Sequence, residues 1–119
     1  MELTVQVPKG ILVVINQLYE IEHKINKAGD PANMQRNVTK MKDALEESGL
    51  TYENPLGQVF KETRTDLEAT ISGEGTENLV VVEVIKPIIR AIIRERGAEF
   101  TKIVQKGIVV VESQPNQNT

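Results

Sequence analysis

Cysteine and tryptophan are absent, and there is a single histidine, His23. Without cysteine there is no disulfide, no thiolate metal site and no cysteine nucleophile. One histidine leaves a triad conceivable but excludes a multi-histidine metal centre. Aromatic residues are 3% of the 119 positions, two Tyr and two Phe. The core must therefore be aliphatic, and little is left for base stacking or sugar binding. No apolar run approaches the roughly 18 residues of a membrane span. The opening Met-Glu-Leu-Thr-Val has no basic segment of the signal-peptide kind, so a cytoplasmic protein that does not engage membrane is expected. A net charge of −3 argues against a general nucleic-acid binder.

The charge that is present is segregated. Region 50–79 holds two basic residues (Lys61, Arg64) and six acidic ones, net −4. Region 84–106 holds six basic residues (Lys86, Arg90, Arg94, Arg96, Lys102, Lys106) and two acidic ones, net +4. Either the two segments neutralise each other within one fold, or the basic segment meets an acidic partner.

The apolar pattern changes period along the chain. Glu2 to Val7 alternate and end at Pro8, as in a short strand or extended arm. From Lys9, the residues Ile11, Val14, Leu18, Ile21 and Ile25 step by 3 and 4, a heptad seam, with Leu12, Ile15 and Tyr19 beside it. Gly29 should cap this helix, and Asp30-Pro31 reads as the N-cap and first residue of a second one. That helix runs to about Ser48 on the line Met34, Val38, Met41 and Leu45. Gly49 ends it, with Leu50 folding back on the last turn. A short link makes an antiparallel hairpin, and its surplus apolar stripe is best covered by a second copy in a dimeric four-helix bundle.

After Gly49 the helical period is gone. Asn54-Pro55-Leu56-Gly57 is a turn. Asp66–Ser72, Leu79–Ile85 and Ile103–Glu112 read as antiparallel strands, with Gly73-Glu74-Gly75 as a hairpin turn. Residues 87–97 fit a short amphipathic helix or the far part of a long hairpin turning at Arg96-Gly97-Ala98, and the β-rich flanks favour the hairpin. The expected fold class is α+β. It comprises an arm over 1–8, a helical hairpin over 9–49, a small antiparallel β-domain over 50–113 and a disordered polar tail over 114–119.

Reactive constellations are scarce. His23 sits between Glu22 and Lys24, off the seam, and reads as an exposed helix residue with no nucleophile motif near it. Asp66 and Glu68 would share a strand face, but on a half-exposed strand this is a solvent-facing pair rather than a glycosidase-type acid and base. Gly73-Glu74-Gly75 lacks the Gly-Lys-Ser/Thr of a phosphate loop. The inventory points to a binding module without a cofactor rather than to an enzyme.

The order of parts resembles the GrpE family, nucleotide exchange factors of DnaK-type heat-shock chaperones. Ile11-Leu-Val-Val-Ile-Asn-Gln-Leu18 is similar to that family's Leu-Leu-Pro-Val-Leu-Asp-Asn-Leu helix. Val81-Val-Glu-Val-Ile-Lys-Pro87 is similar to the stretch leading to its Gly-Tyr turn. Ile103-Val-Gln-Lys-Gly-Ile-Val-Val-Val111 is similar to its Val-Leu-Arg-Pro-Ala-Met-Val-x-Val end strand, and Leu67-Glu68-Ala69 stands where it has His-Glu-Ala. The Gly-Tyr falls on Ile88-Ile89, the Arg-Pro-Ala on Gln105-Lys106-Gly107, and the Phe-Asp-Pro on Phe60-Lys61-Glu62. The family's long leading helix has no match in the arm before Pro8. The resemblance also implies a homodimer, and the apolar stripes read above give its expected seam: Ile11, Val14, Leu18, Ile21, Ile25, Met34, Val38, Met41 and Leu45. The resemblance implies that the β-domain binds the chaperone's nucleotide-binding domain through Phe60, Ile85, Lys86, Lys102, Gln105 and Lys106 and promotes ADP release. A dimeric adaptor that keeps the fold without exchange activity is the alternative.

Overall fold

The computed structural model describes residues 6–115. Two helices precede six strands: α1 (Lys9–Ala28), α2 (Gln35–Glu47), β1 (Leu50–Glu53), β2 (Leu67–Ser72), β3 (Leu79–Lys86), β4 (Ile88–Glu95), β5 (Ala98–Gln105) and β6 (Gly107–Ser113). The class is α+β, as expected. The strands form two three-stranded sheets, β1-β4-β5 and β2-β6-β3, rather than one antiparallel domain. A four-helix bundle is not seen: the two helices pair within one chain. Most of the expected arm, and the last four residues of the expected tail, lie outside the described residues. Among the described residues no helix is long and apolar enough to cross a membrane.

The chain divides into two compact units. The first joins the described residues up to Tyr52 with Ile89–Val104, and the second joins Glu53–Ile88 with the described residues from Gln105 onward. In the first unit α1 starts after Pro8 with no side-chain cap and no acidic residue in its first turn. Its buried side chains are Ile15, Leu18, Tyr19 and Ile25, a stripe at helical spacing. Gly29 ends it at φ 88°, a backbone angle that costs glycine little. The second helix begins later than Asp30-Pro31 suggests. Asn33 takes φ 56°, which breaks the helical path, and Gln35 is the first helical residue. Asp30 caps it nonetheless: its Oδ1 accepts from the Met34 N–H at 2.6 Å and its Oδ2 from the Gln35 N–H at 2.7 Å. Gly49 terminates α2 at φ 88°. Leu50 then opens β1 instead of folding back, and the Ile92 N–H donates to the Gly49 carbonyl at 2.8 Å. The ambiguous stretch 87–97 is the hairpin. Arg96 and Gly97 have φ 48° and 78°, both positive as a two-residue turn between twisted strands requires.

In the second unit β6 lies between β2 and β3, parallel to β2 and antiparallel to β3. Gly73–Gly75 is therefore the start of a crossover and not a hairpin turn. The crossover passes close to the end of β6, where the Ser113 hydroxyl donates to the Glu77 carbonyl and a side chain on Gly75 would collide with Ser113. Leu67, Leu79, Val81, Ile88, Val109 and Val111 form the core, with Phe60, Ala69 and Val84 packed against it. Gly107 is a glycine for packing reasons: a Cβ there would stand 2.8 Å from Leu67 Cδ2 and 2.9 Å from Ile88 Cγ1. The segment 57–60 lines the outer edge of β3. The Phe60 N–H donates to the Leu79 carbonyl at 2.8 Å, and Val59 bridges Val80.

Candidate functional site: the outward face of the β2-β6-β3 sheet

Strict alternation along Leu79-Val-Val-Val-Glu-Val-Ile-Lys86 would send Leu79, Val81, Glu83 and Ile85 to one face. That would bury a carboxylate in an aliphatic core, at a cost of several kcal/mol without a partner. The strand avoids it with two bulges. Val81 pairs with Val111 but Glu83 with Val110, and Val84 pairs with Val109 but Lys86 with Ile108. One residue is extra at each step, so Val82 and Glu83 share the position opposite Val110, and Ile85 and Lys86 share the one opposite Ile108. Each bulge resets the parity. Leu79, Val81 and Val84 face the core, while Val82, Glu83, Ile85 and Lys86 are exposed.

The outcome is an aliphatic face open to solvent. Val59 is 57% exposed, Ile85 51% and Val82 38%. Val80, Ile108 and Val110, partly buried, connect them in the ladder. Contiguous exposed apolar surface on a small domain marks an interaction site.

The six partner-contact residues expected from sequence do not gather in one place. Ile85 and Lys86 lie on the outward face. Phe60 packs on the opposite side, against the core. Gln105 donates its side-chain amide to the Pro87 carbonyl at 3.0 Å, and Lys106 is exposed in the link between β5 and β6. Lys102 is half-buried on β5, in the first unit. Sequence reasoning missed Val59, Val80, Val82, Ile108 and Val110. The signal for them is Glu83, a charge at a position that alternation assigns to the core.

The helical seam is divided. Leu18, Ile25 and Val38 are buried inside the first unit and Leu45 is partly buried, whereas Ile11, Val14, Ile21, Met34 and Met41 are exposed. Five unpartnered apolar side chains on two helices are a second candidate contact surface.

Other polar groups have structural roles. Glu22, on α1, accepts hydrogen bonds from Tyr52 Oη at 2.9 Å, Gln35 Nε2 at 3.2 Å and Lys42 Nζ at 3.3 Å, tying α1, α2 and β1 together. Lys42 also sits 4.9 Å from the centre of the Tyr52 ring. Burial would raise the Glu22 carboxyl, but the donors from Gln35, Tyr52 and Lys42 outweigh it and hold it below the usual carboxylate range. Burial, and then the hydrogen bond to Glu22, push the Tyr52 hydroxyl up. His23 is half-buried rather than exposed, its ring stacked on Tyr19 at 6.0 Å. Asp66 and Glu68 are not a pair: Asp66 precedes β2 and accepts from Arg64 Nε and Nη2, each at 2.9 Å, while Glu68 is exposed on β2. Arg94 meets Glu99 of its own hairpin at 3.5 Å. No protein-family model, curated protein or solved structure matches this chain.

Proposed function

We propose that this protein is a GrpE-like co-chaperone that binds the nucleotide-binding domain of a DnaK-type chaperone and promotes ADP release. The observation that carries the reading is the double bulge in β3. It turns Ile85 and Lys86, two residues the family resemblance places at the contact, out of the fold and beside Val82. No bond need be made or broken. The factor acts by binding the open nucleotide cleft better than the closed one, and the shift it produces is limited by that difference in affinity.

A cytoplasmic homodimer belongs to the same proposal, with the exposed Ile11, Val14, Ile21, Met34 and Met41 as its seam in a four-helix bundle. Light scattering should then give twice the 13.3 kDa chain mass. Val14→Asp, at an exposed position, should give a folded monomer, whereas Leu18→Asp, at a buried one, should unfold the chain. A folded wild-type monomer at micromolar concentration refutes the seam.

The adaptor without exchange activity is the second reading. It is favoured by the internal engagement of two contact positions, Phe60 in the core and Gln105 on Pro87. Release of a fluorescent ADP analogue from a DnaK-type chaperone separates the two. Acceleration by wild type, lost in Ile85→Asp, supports exchange, and binding with no acceleration at saturation supports the adaptor.

A further inference from the structure

The outward face of β2-β6-β3 has a charge pattern as well as an aliphatic centre. Its rows read Glu68–Ile108–Lys86, Thr70–Val110–Glu83 and Ser72–Glu112–Val80, with Val59 beyond Val80. Val82 and Ile85 stand within the second and first of these rows. Three exposed carboxylates, Glu68, Glu83 and Glu112, border the aliphatic centre against a single ammonium, Lys86. The bias extends to the whole second unit, which holds eight carboxylates against four Lys and Arg side chains. Of the six cations in the basic segment 84–106, only Lys86 and Lys106 belong to this unit. The sign of the face is therefore opposite to what the linear charge run suggests.

We propose that this face docks a partner protein whose contact surface is aliphatic and bordered by Lys and Arg side chains. The inference rests on reading the chain as an interaction module, and it supplies the chemistry of the partner. An acidic partner would meet three like charges around the patch and be rejected, whereas a basic border neutralises them and is steered on. The centre contributes burial of Val59, Val82 and Ile85, which a bare sheet face leaves in water. Glu83 and Lys86 arrive with Val82 and Ile85 because each bulge carries one aliphatic and one charged residue to the same position.

Two synthetic peptides of equal length test it, one alternating Leu and Lys, the other Leu and Glu, titrated into isotope-labelled protein at physiological salt. The Leu–Lys peptide should shift the amide signals of Val82, Ile85 and Val110, and the Leu–Glu peptide should not. Replacing Glu68, Glu83 and Glu112 together by Gln should weaken that binding about tenfold and flatten its salt dependence, while a dispersed spectrum shows that the fold persists. Equal binding of both peptides, preference for Leu–Glu, or shifts confined to other residues overturns the proposal. The ADP-release assay keeps the two readings apart. A chaperone that is not accelerated, with the Leu–Lys peptide still bound here, defeats exchange and leaves the docking face. Acceleration unchanged in the triple Gln variant defeats the docking face and leaves exchange.

Discussion

β3 and β4 follow one another across Pro87 and are both eight-residue aliphatic strands with a few charges, Leu-Val-Val-Val-Glu-Val-Ile-Lys and Ile-Ile-Arg-Ala-Ile-Ile-Arg-Glu. In β4, Ile89 and Ala91 are buried at a spacing of two, with Arg90 between them partly exposed. In β3 the buried and core-facing positions are Leu79, Val81 and Val84, a spacing of two and then three. The difference comes from β6, whose residues Gly107, Val109 and Val111 keep a period of two and demand an inward partner at each step. β3 meets that demand by looping out one residue twice, and the looped-out residues are aliphatic. One strand spends its apolar side chains on the core, and the other sends part of them outward.

Single-residue deletions give the largest contrast. Removing Arg90 from β4 places Ile89 and Ala91 next to each other, sends one of them to the wrong face and should cost several kcal/mol, read as loss of a cooperative melt. Removing Val82 from β3 heals the ladder, because Val81 and Val84 then alternate with Glu83 outward between them. That chain should melt within a few degrees of wild type while the outward patch loses Val82 and keeps Val59 and Ile85. An unfolded Val82 deletion breaks the parity account.

A smaller effect is expected at Gly107, which forms the inner row with Leu67 and Ile88. Gly107→Ala puts a methyl inside 3 Å of both side chains and should cost about 1–3 kcal/mol by overpacking, seen in the denaturant midpoint.

Next comes the polar tie in the other unit. Glu22→Gln should cost about 1–2 kcal/mol at pH 7, and Tyr52→Phe a similar amount, each by removing a charge-assisted hydrogen bond. The folded-state value of Glu22 is lowered, so its stabilisation is present above the unfolded carboxylate value of about 4.3 and is lost as pH falls through the lower folded value. Melting temperature against pH should fall less steeply below about pH 4 in Glu22→Gln than in wild type. Parallel acid limbs would show that Glu22 contributes no such linkage.

The smallest effect is at Gly10, in the uncapped first turn of α1, where a Cβ meets nothing within 4 Å. Gly10→Ala should stabilise by about 0.5–1 kcal/mol, read as a raised melting temperature.

Where the chain's own local chemistry decides, the sequence was sufficient. The helix periods and the glycine stops at Gly29 and Gly49 follow from side-chain spacing and backbone sterics, which need no partner strand; the Arg96-Gly97 turn stayed open between helix and hairpin until β4 and β5 paired. The capping role of Asp30 was legible too, but not its reach: the left-handed turn at Asn33 moved the helix start to Gln35. What the tertiary structure alone decided were relations between distant residues. The parallel pairing of β2 with β6, the splitting of the β region into two sheets and the Glu22–Tyr52 bond join positions far apart in the chain. The candidate site belongs to this second class. Whether Val82 and Ile85 lie in or out depends on the register that β6 imposes on β3, and a period-2 strand reverses all its side chains for each residue looped out. Glu83 gave the one local hint, because a carboxylate at an inward position has to be moved by a bulge or left buried without a partner.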